Sequence, residues 1–307
     1  MRILLTGASG AIGSRLAPEL AGEGHRLRAL ARSPERVTAE GIDEIVSGDV
    51  LTASGLDSAM EGIDLAYYLI HSMESSATGE SFAERELRSA ENFAAAAKRA
   101  GVRRVCYLGG LVPTDRPPSE HLASRLAVEE TLLGSAPEAV ALRASIVISA
   151  QSRSFRFLVR LLERSPLLPL PDWRDFRTQP IDGRDVVAYL KAAGLSESVS
   201  SALALDIAGP DTVTYGELIK RIGDAMLLNR PAVELPFSIT PIASAVAASI
   251  TGEDAELVGP LMAGLSGDLL ADDSEARELF DVRLHRLDRA ISHSLREWEE
   301  SEPLAAR

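Results

Sequence analysis

Glycines at positions 7, 10 and 13 punctuate the stretch Thr6-Gly7-Ala8-Ser9-Gly10-Ala11-Ile12-Gly13, directly behind the apolar run Ile3-Leu4-Leu5. A strand that feeds a helix through glycines at this spacing puts backbone N–H groups and the positive end of the helix against a pyrophosphate. Gly7 permits the tight turn, Gly10 lets the chain approach the phosphate, and Gly13 lets helix and strand pack. Ser9, Ala11 and Ile12 between them become phosphate-side positions. A plain strand–turn–helix connection would carry the same glycines. Two further residues add chemistry. Arg32 ends the second strand-like run, where an acid would bind ribose hydroxyls; a guanidinium there pairs with a 2′-phosphate, or is a solvated strand end. Asp49 can accept from an adenine amino group with Val50 packing on the ring, or it can cap the next helix. Together the three features favour NADP(H).

These residues need a particular scaffold. Strand-like runs at 2–6, 26–31, 44–46, 64–70, 102–108 and 140–148 alternate with helical segments at 11–23, 80–100 and 119–134, and a short helix follows Thr52 or Ser54. The run Asp64 to Ile70 is almost continuously apolar, as a strand covered on both faces requires. The alternation predicts an α/β fold, a Rossmann-type doubly wound parallel sheet. Beyond about residue 150 the pattern loosens around Pro166, Pro169, Pro171 and Pro180, before helices at 184–195, 215–228 and 287–300, a strand at 203–207, and a weakly amphipathic, helical 238–266. The expected organisation is a nucleotide-binding domain over 1–150 and a smaller, mostly helical substrate lobe over 151–307, partly interleaved with the sheet edge.

Bulk composition narrows the partners. The 307 residues are 46% hydrophobic and 25% charged, an ordinary globular balance, with a net charge of −13. That sign disfavours nucleic acid and an anionic membrane surface. The single cysteine, Cys106, lies in an apolar run and reads as a buried strand thiol. Five scattered histidines and one cysteine give no metal-ligand spacing. His25, His285 and His293 are expected on turns or the last helix, in solvent, and Trp173 as a core or lid aromatic. With neither a signal-peptide pattern nor an apolar run of spanning length, the expectation is a soluble cytoplasmic protein with a small-molecule substrate. A homo-oligomer is a further expectation.

The glycine stretch, the turn Gly48-Asp49-Val50, the strand Leu142-Arg143-Ala144-Ser145 and Thr178-Gln179-Pro180-Ile181 followed by Asp185-Val186 resemble the extended or atypical short-chain dehydrogenase/reductases. Tyr68-Leu69-Ile70-His71-Ser72-Met73 and Tyr107-Leu108-Gly109-Gly110-Leu111 look like the NmrA-like NAD(P)H-binding branch, similar in kind to the nucleotide-binding accessory subunit of respiratory complex I. The resemblance covers roughly residues 1–190. It implies cofactor-side positions at Leu69, Ile70, His71, Leu108 and Gly109.

The resemblance also implies a Ser or Thr at the end of the fifth strand and a Tyr-x-x-x-Lys on the next helix, the tyrosine acting as general acid/base. This chain has Gly109-Gly110 in the first place, and His121 and Arg125 in the second. Spacing of i, i+4 sets both on one helical face. A histidine can give a proton to a carbonyl; an arginine can hold a ribose but cannot shuttle protons. The other reading is that both contact cofactor or acidic neighbours and catalyse nothing. Two functions therefore stand: an NADPH-dependent reductase of a small apolar carbonyl or enone compound, and a non-catalytic NADP(H)-binding redox sensor or structural subunit. A nucleotide-sugar epimerase or dehydratase is a weaker third, because such enzymes need the tyrosine.

Overall fold

The computed structural model describes residues 1–70, 81–170, 172–234 and 267–304. Its centre is a seven-stranded sheet in the order β11-β6-β5-β4-β1-β2-β3, every pairing parallel. The strands are β1 (Arg2–Thr6), β2 (Arg26–Ala31), β3 (Glu44–Ser47), β4 (Leu65–Tyr68), β5 (Arg104–Gly110), β6 (Val140–Ala144) and β11 (Leu203–Ile207). Successive strand residues point to opposite faces, and here both faces are apolar. Ile3, Leu5, Tyr67, Cys106 and Leu142 pack under α1 (Gly13–Gly22) and α6 (Gly183–Leu195). Leu4, Ala66, Tyr68, Tyr107 and Ala141 pack under α2 (Leu56–Met60), α3 (Phe82–Ala100) and α4 (Glu120–Leu133). The Rossmann-type expectation is met.

Local chemistry sets the element ends. Helix α3 opens on a capping box: Ser81 Oγ accepts the Glu84 N–H at 3.2 Å and the Glu84 carboxylate accepts the Ser81 N–H at 3.0 Å. It stops at Gly101 in the left-handed conformation. Helix α1 starts at Gly13, two residues later than the sequence pattern suggests, because the Gly10 N–H turns back onto the Gly7 carbonyl at 2.9 Å.

After β6 the chain leaves the sheet through two-residue strands β7 (Val147–Ile148), β9 (Arg177–Thr178), β10 (Ile181–Asp182) and β12 (Val213–Thr214), with β8 (Leu168–Leu170) pairing β13 (Ala232–Glu234). Helices α5 (Arg153–Arg164), α7 (Tyr215–Ala225) and α9 (Leu287–Glu299) share a third core around Phe155, Leu218, Ile222, Leu295 and Trp298. The short α8 spans Ser274–Leu279. Arg156 and Arg160 stack over the Trp298 ring at 4.3 and 5.0 Å. Helix α7 ends at Ala225, earlier than the sequence pattern suggests: Leu227 takes a positive φ of 58° as the Leu228 N–H returns to the Gly223 carbonyl. The helical pattern over 238–266 lies outside the described residues.

Between these excursions α6 and β11 return to the sheet. Arg104, 1% exposed at the start of β5, donates to the carbonyls of Ala193, Gly194, Ser196 and Val199 and pairs with Glu138 at 2.6 Å. One guanidinium thus satisfies the end of α6 and anchors it beneath the sheet. Cys106, two residues on, is fully buried, and burial pushes its thiol up to about 12.

Candidate functional site

The carboxyl ends of β1, β4, β5 and β6 meet along one edge, the side on which α/β sheets bind ligands. Thr6 ties two of them, its hydroxyl donating to the Tyr67 carbonyl at 2.9 Å and accepting the Leu69 N–H at 3.3 Å. Gly7 follows with φ +75°, and a Cβ there would stand 2.5 Å from the Leu69 carbonyl oxygen. A Cβ on Gly13 would stand 2.2 Å from the Gly7 oxygen, so α1 reaches the strand only without a side chain. Gly10 is exposed, and Ile12 precedes an α1 that has no side-chain cap and no acid in its first turn. A dinucleotide phosphate fits such a cradle: backbone donors, the positive helix end, and no acid in the first helical turn.

On the neighbouring β2, Arg28 lies within the strand and Arg32 just past its end. Arg28 bonds Glu44 and the carbonyls of Ser58, Ala59 and Glu61, stapling β2 to the end of α2. Arg32 is exposed just past β2. Asp49 Oδ1 accepts the Leu51 N–H at 2.9 Å, and Asn92 from α3 donates to the carbonyls of Val50 and Leu51, which fixes the turn. Val50 is buried beside Leu30 and Leu56.

Across the edge, Leu108 and Gly109 are buried at the end of β5, while Leu69 and Ile70 are half-buried past β4. His71 lies outside the described residues. His121 and Arg125 share a face of α4, and the structure gives them different surroundings. His121 sits with its ring 6.0 Å from that of Phe82; burial, and then the Arg125 charge, push it down to about 4. Arg125 is buried over the Tyr107 ring, donates to the Leu108 carbonyl at 3.0 Å and pairs with Glu86 at 3.6 Å. Glu86, buried on α3, also accepts from Ser124 at 3.0 Å; desolvation raises its carboxyl despite the Arg125 charge. A buried ion pair therefore joins α3, α4 and β5 directly beneath the edge.

Sequence reasoning missed Glu86 because hydropathy sets the apolar stripe of α3 through Leu87, which is only half-buried, whereas Glu86, Ser89, Ala90 and Phe93 face inward. It also missed Ser145, which follows β6 with Oγ 2.6 Å from the Thr178 hydroxyl. His285, expected in solvent, is half-exposed and held: its Nδ1 lies 2.5 Å from buried Asp185, whose other oxygen accepts the His285 N–H. Trp173 lies in a 3₁₀ turn, edge-on to Tyr215. Among the described residues no cluster of metal-ligand types forms, and no helix is long and apolar enough to cross a membrane.

Residues 7–146 match a known family, described as NAD(P)H-binding. The matched segment holds the whole cradle, both strand-end candidates and α4. The chain is 30% identical over 169 residues to NADH dehydrogenase (ubiquinone) 1 alpha subcomplex subunit 9, mitochondrial, of Arabidopsis thaliana, covering 55% of this chain but only 41% of that relative's length. It is 29% identical over 235 residues to (4-alkanoyl-5-oxo-2,5-dihydrofuran-3-yl)methyl phosphate reductase of Streptomyces griseus, covering 75% of this chain and 74% of the relative. Ceramide reductase of Caulobacter vibrioides is 26% identical, covering 76% and 73%. The fold is shared with solved structures, among them MoeE5 in complex with UDP-glucose and NAD, at TM-score 0.72 and 21% identity over 98% of this chain and 99% of that one.

Proposed function

We propose that the protein is an NADPH-dependent reductase of a small, largely apolar carbonyl or enone compound. The observation that carries this reading is the uncapped glycine cradle with a basic residue, Arg32, rather than an acid past the end of β2. The two relatives of matching length are both named reductases, which supports the reaction class. When bound, the nicotinamide supplies a hydride to the substrate carbon, and the oxygen takes a proton. This chain's share is to hold the phosphates, orient the substrate oxygen and admit that proton. His121 is neutral near pH 7 and serves as a hydrogen-bond donor or a packing group; the proton then comes from water. Arg125, turned to Glu86 and the Leu108 carbonyl, holds the end of β5 in place.

The test is NADPH oxidation against a panel of carbonyl and enone compounds, with nucleotide affinities measured in parallel. Arg32→Asp should weaken NADP(H) binding about tenfold or more with NAD(H) little changed, since one charge-assisted phosphate contact is lost. Equal, unchanged affinities for both nucleotides would overturn the cofactor preference. A second reading, a non-catalytic NADP(H)-binding subunit or sensor, is favoured by one observation: Gly109-Gly110 brings no hydroxyl to the end of β5, and Arg125 is engaged inward. Tight NADPH binding with a raised melting temperature and no turnover across the panel would decide for it.

A further inference from the structure

The end of β5 carries glycines, but the next strand brings a hydroxyl to the same edge. Ser145 follows β6, and the Leu111 N–H bonds the Ala144 carbonyl at 3.2 Å, so Ser145 is fixed beside the end of β5. Its Oγ lies 2.6 Å from Thr178 Oγ1. Thr178 is fully buried in β9, where its hydroxyl neighbours the Tyr215 phenol, 4% exposed at the start of α7. The β9–β12 pairing and the Tyr215 N–H to Phe176 carbonyl bond, at 3.0 Å, hold these two together. A hydroxyl pair thus stands at the sheet's edge, Thr178 buried and Ser145 half-buried on the outer side.

A hydroxyl has one proton to give. If Thr178 donates to Ser145, the Ser145 proton is left for an outside acceptor, and the bond from Thr178 polarises it.

We propose that Ser145, aligned by Thr178, donates the hydrogen bond to the substrate's carbonyl oxygen, a role for which the end of β5 has no side chain. Ser145 is the residue that touches substrate; Thr178 is a positioning residue. The assignment rests on the reductase reading above.

The experiment uses the full chain: wild type, Ser145→Ala, Ser145→Thr and Thr178→Val, each checked by thermal melt and NADPH titration, then assayed with the best carbonyl of the panel. Ser145→Ala should lower kcat about 100-fold or more, the loss expected when one oxyanion donor is removed. NADPH affinity should stay within about twofold. Ser145→Thr should recover much of the rate, and Thr178→Val should lower kcat about tenfold with KM little changed and an altered solvent deuterium isotope effect. Wild-type turnover matched by Ser145→Ala, or a Ser145→Ala defect that lies in NADPH affinity, overturns this assignment alone. Wild-type inactivity on every compound overturns the reductase reading and the assignment with it.

Discussion

His121 loses its charge chiefly through burial, and then through sharing a helix face with a buried arginine. Its folded value of about 4 lies below the ordinary histidine value of 6.5. The unfolded chain therefore binds the extra proton first, so the contribution of neutral His121 is complete above about pH 6.5 and is lost as pH falls towards 4. The loss is at most about 3 kcal/mol. Urea unfolding at several pH values should show wild type losing stability across that window more steeply than His121→Gln. Equal slopes would remove the depressed histidine from the account. Glycines 7, 10 and 13 were legible in the sequence because their chemistry is local: a turn, an approach and a packing contact within seven residues. Glu86 to Arg125, Ser145 to Thr178 and Asp185 to His285 were not, since each pair is joined only by the tertiary fold.

At the scale of elements, α6 rests on the sheet through a contact that admits no side chain. A Cβ on Gly194 would lie 1.9 Å from the Tyr67 hydroxyl, which donates to the Leu190 carbonyl at 3.1 Å. Gly194→Ala should cost about 1–3 kcal/mol by overpacking. Adding Tyr67→Phe should recover part of it, because the clashing atom is removed; a chemical-denaturation double-mutant cycle reads the coupling. The long elements were readable from periodicity and caps: the last helix is expected over 287–300 and observed at Leu287–Glu299. The two-residue strands β7, β9, β10 and β12 were not, because a ladder so short leaves no alternation to see. The run expected over 140–148 accordingly divides at Ser145 and Ile146.

The whole molecule is knitted by a chain that leaves the sheet and comes back. Helix α6 covers the same face as α1, and β11 pairs along all of β6 from Val140 to Ala144. A fragment ending at residue 150 would bare the β6 edge, strip the apolar face over Tyr67 and Cys106, and leave Arg104 without its α6 carbonyl partners. Far-UV circular dichroism and sedimentation of that fragment should report an unfolded or aggregating chain; a monomeric, cooperatively melting fragment would show instead that the N-terminal sheet stands alone.

The only cysteine of the sequence lies in β5, flanked by β4 and β6 and fully buried. While the sheet is closed, a thiol reagent cannot reach it. Cys106 is therefore a native, single-site clock for sheet opening: the rate of its labelling reports how often the β4–β5–β6 region parts. If the proposed cofactor binds, the slowing of that rate as NADPH or NADP⁺ is added would count, in time rather than in affinity, how firmly each redox form holds the sheet shut.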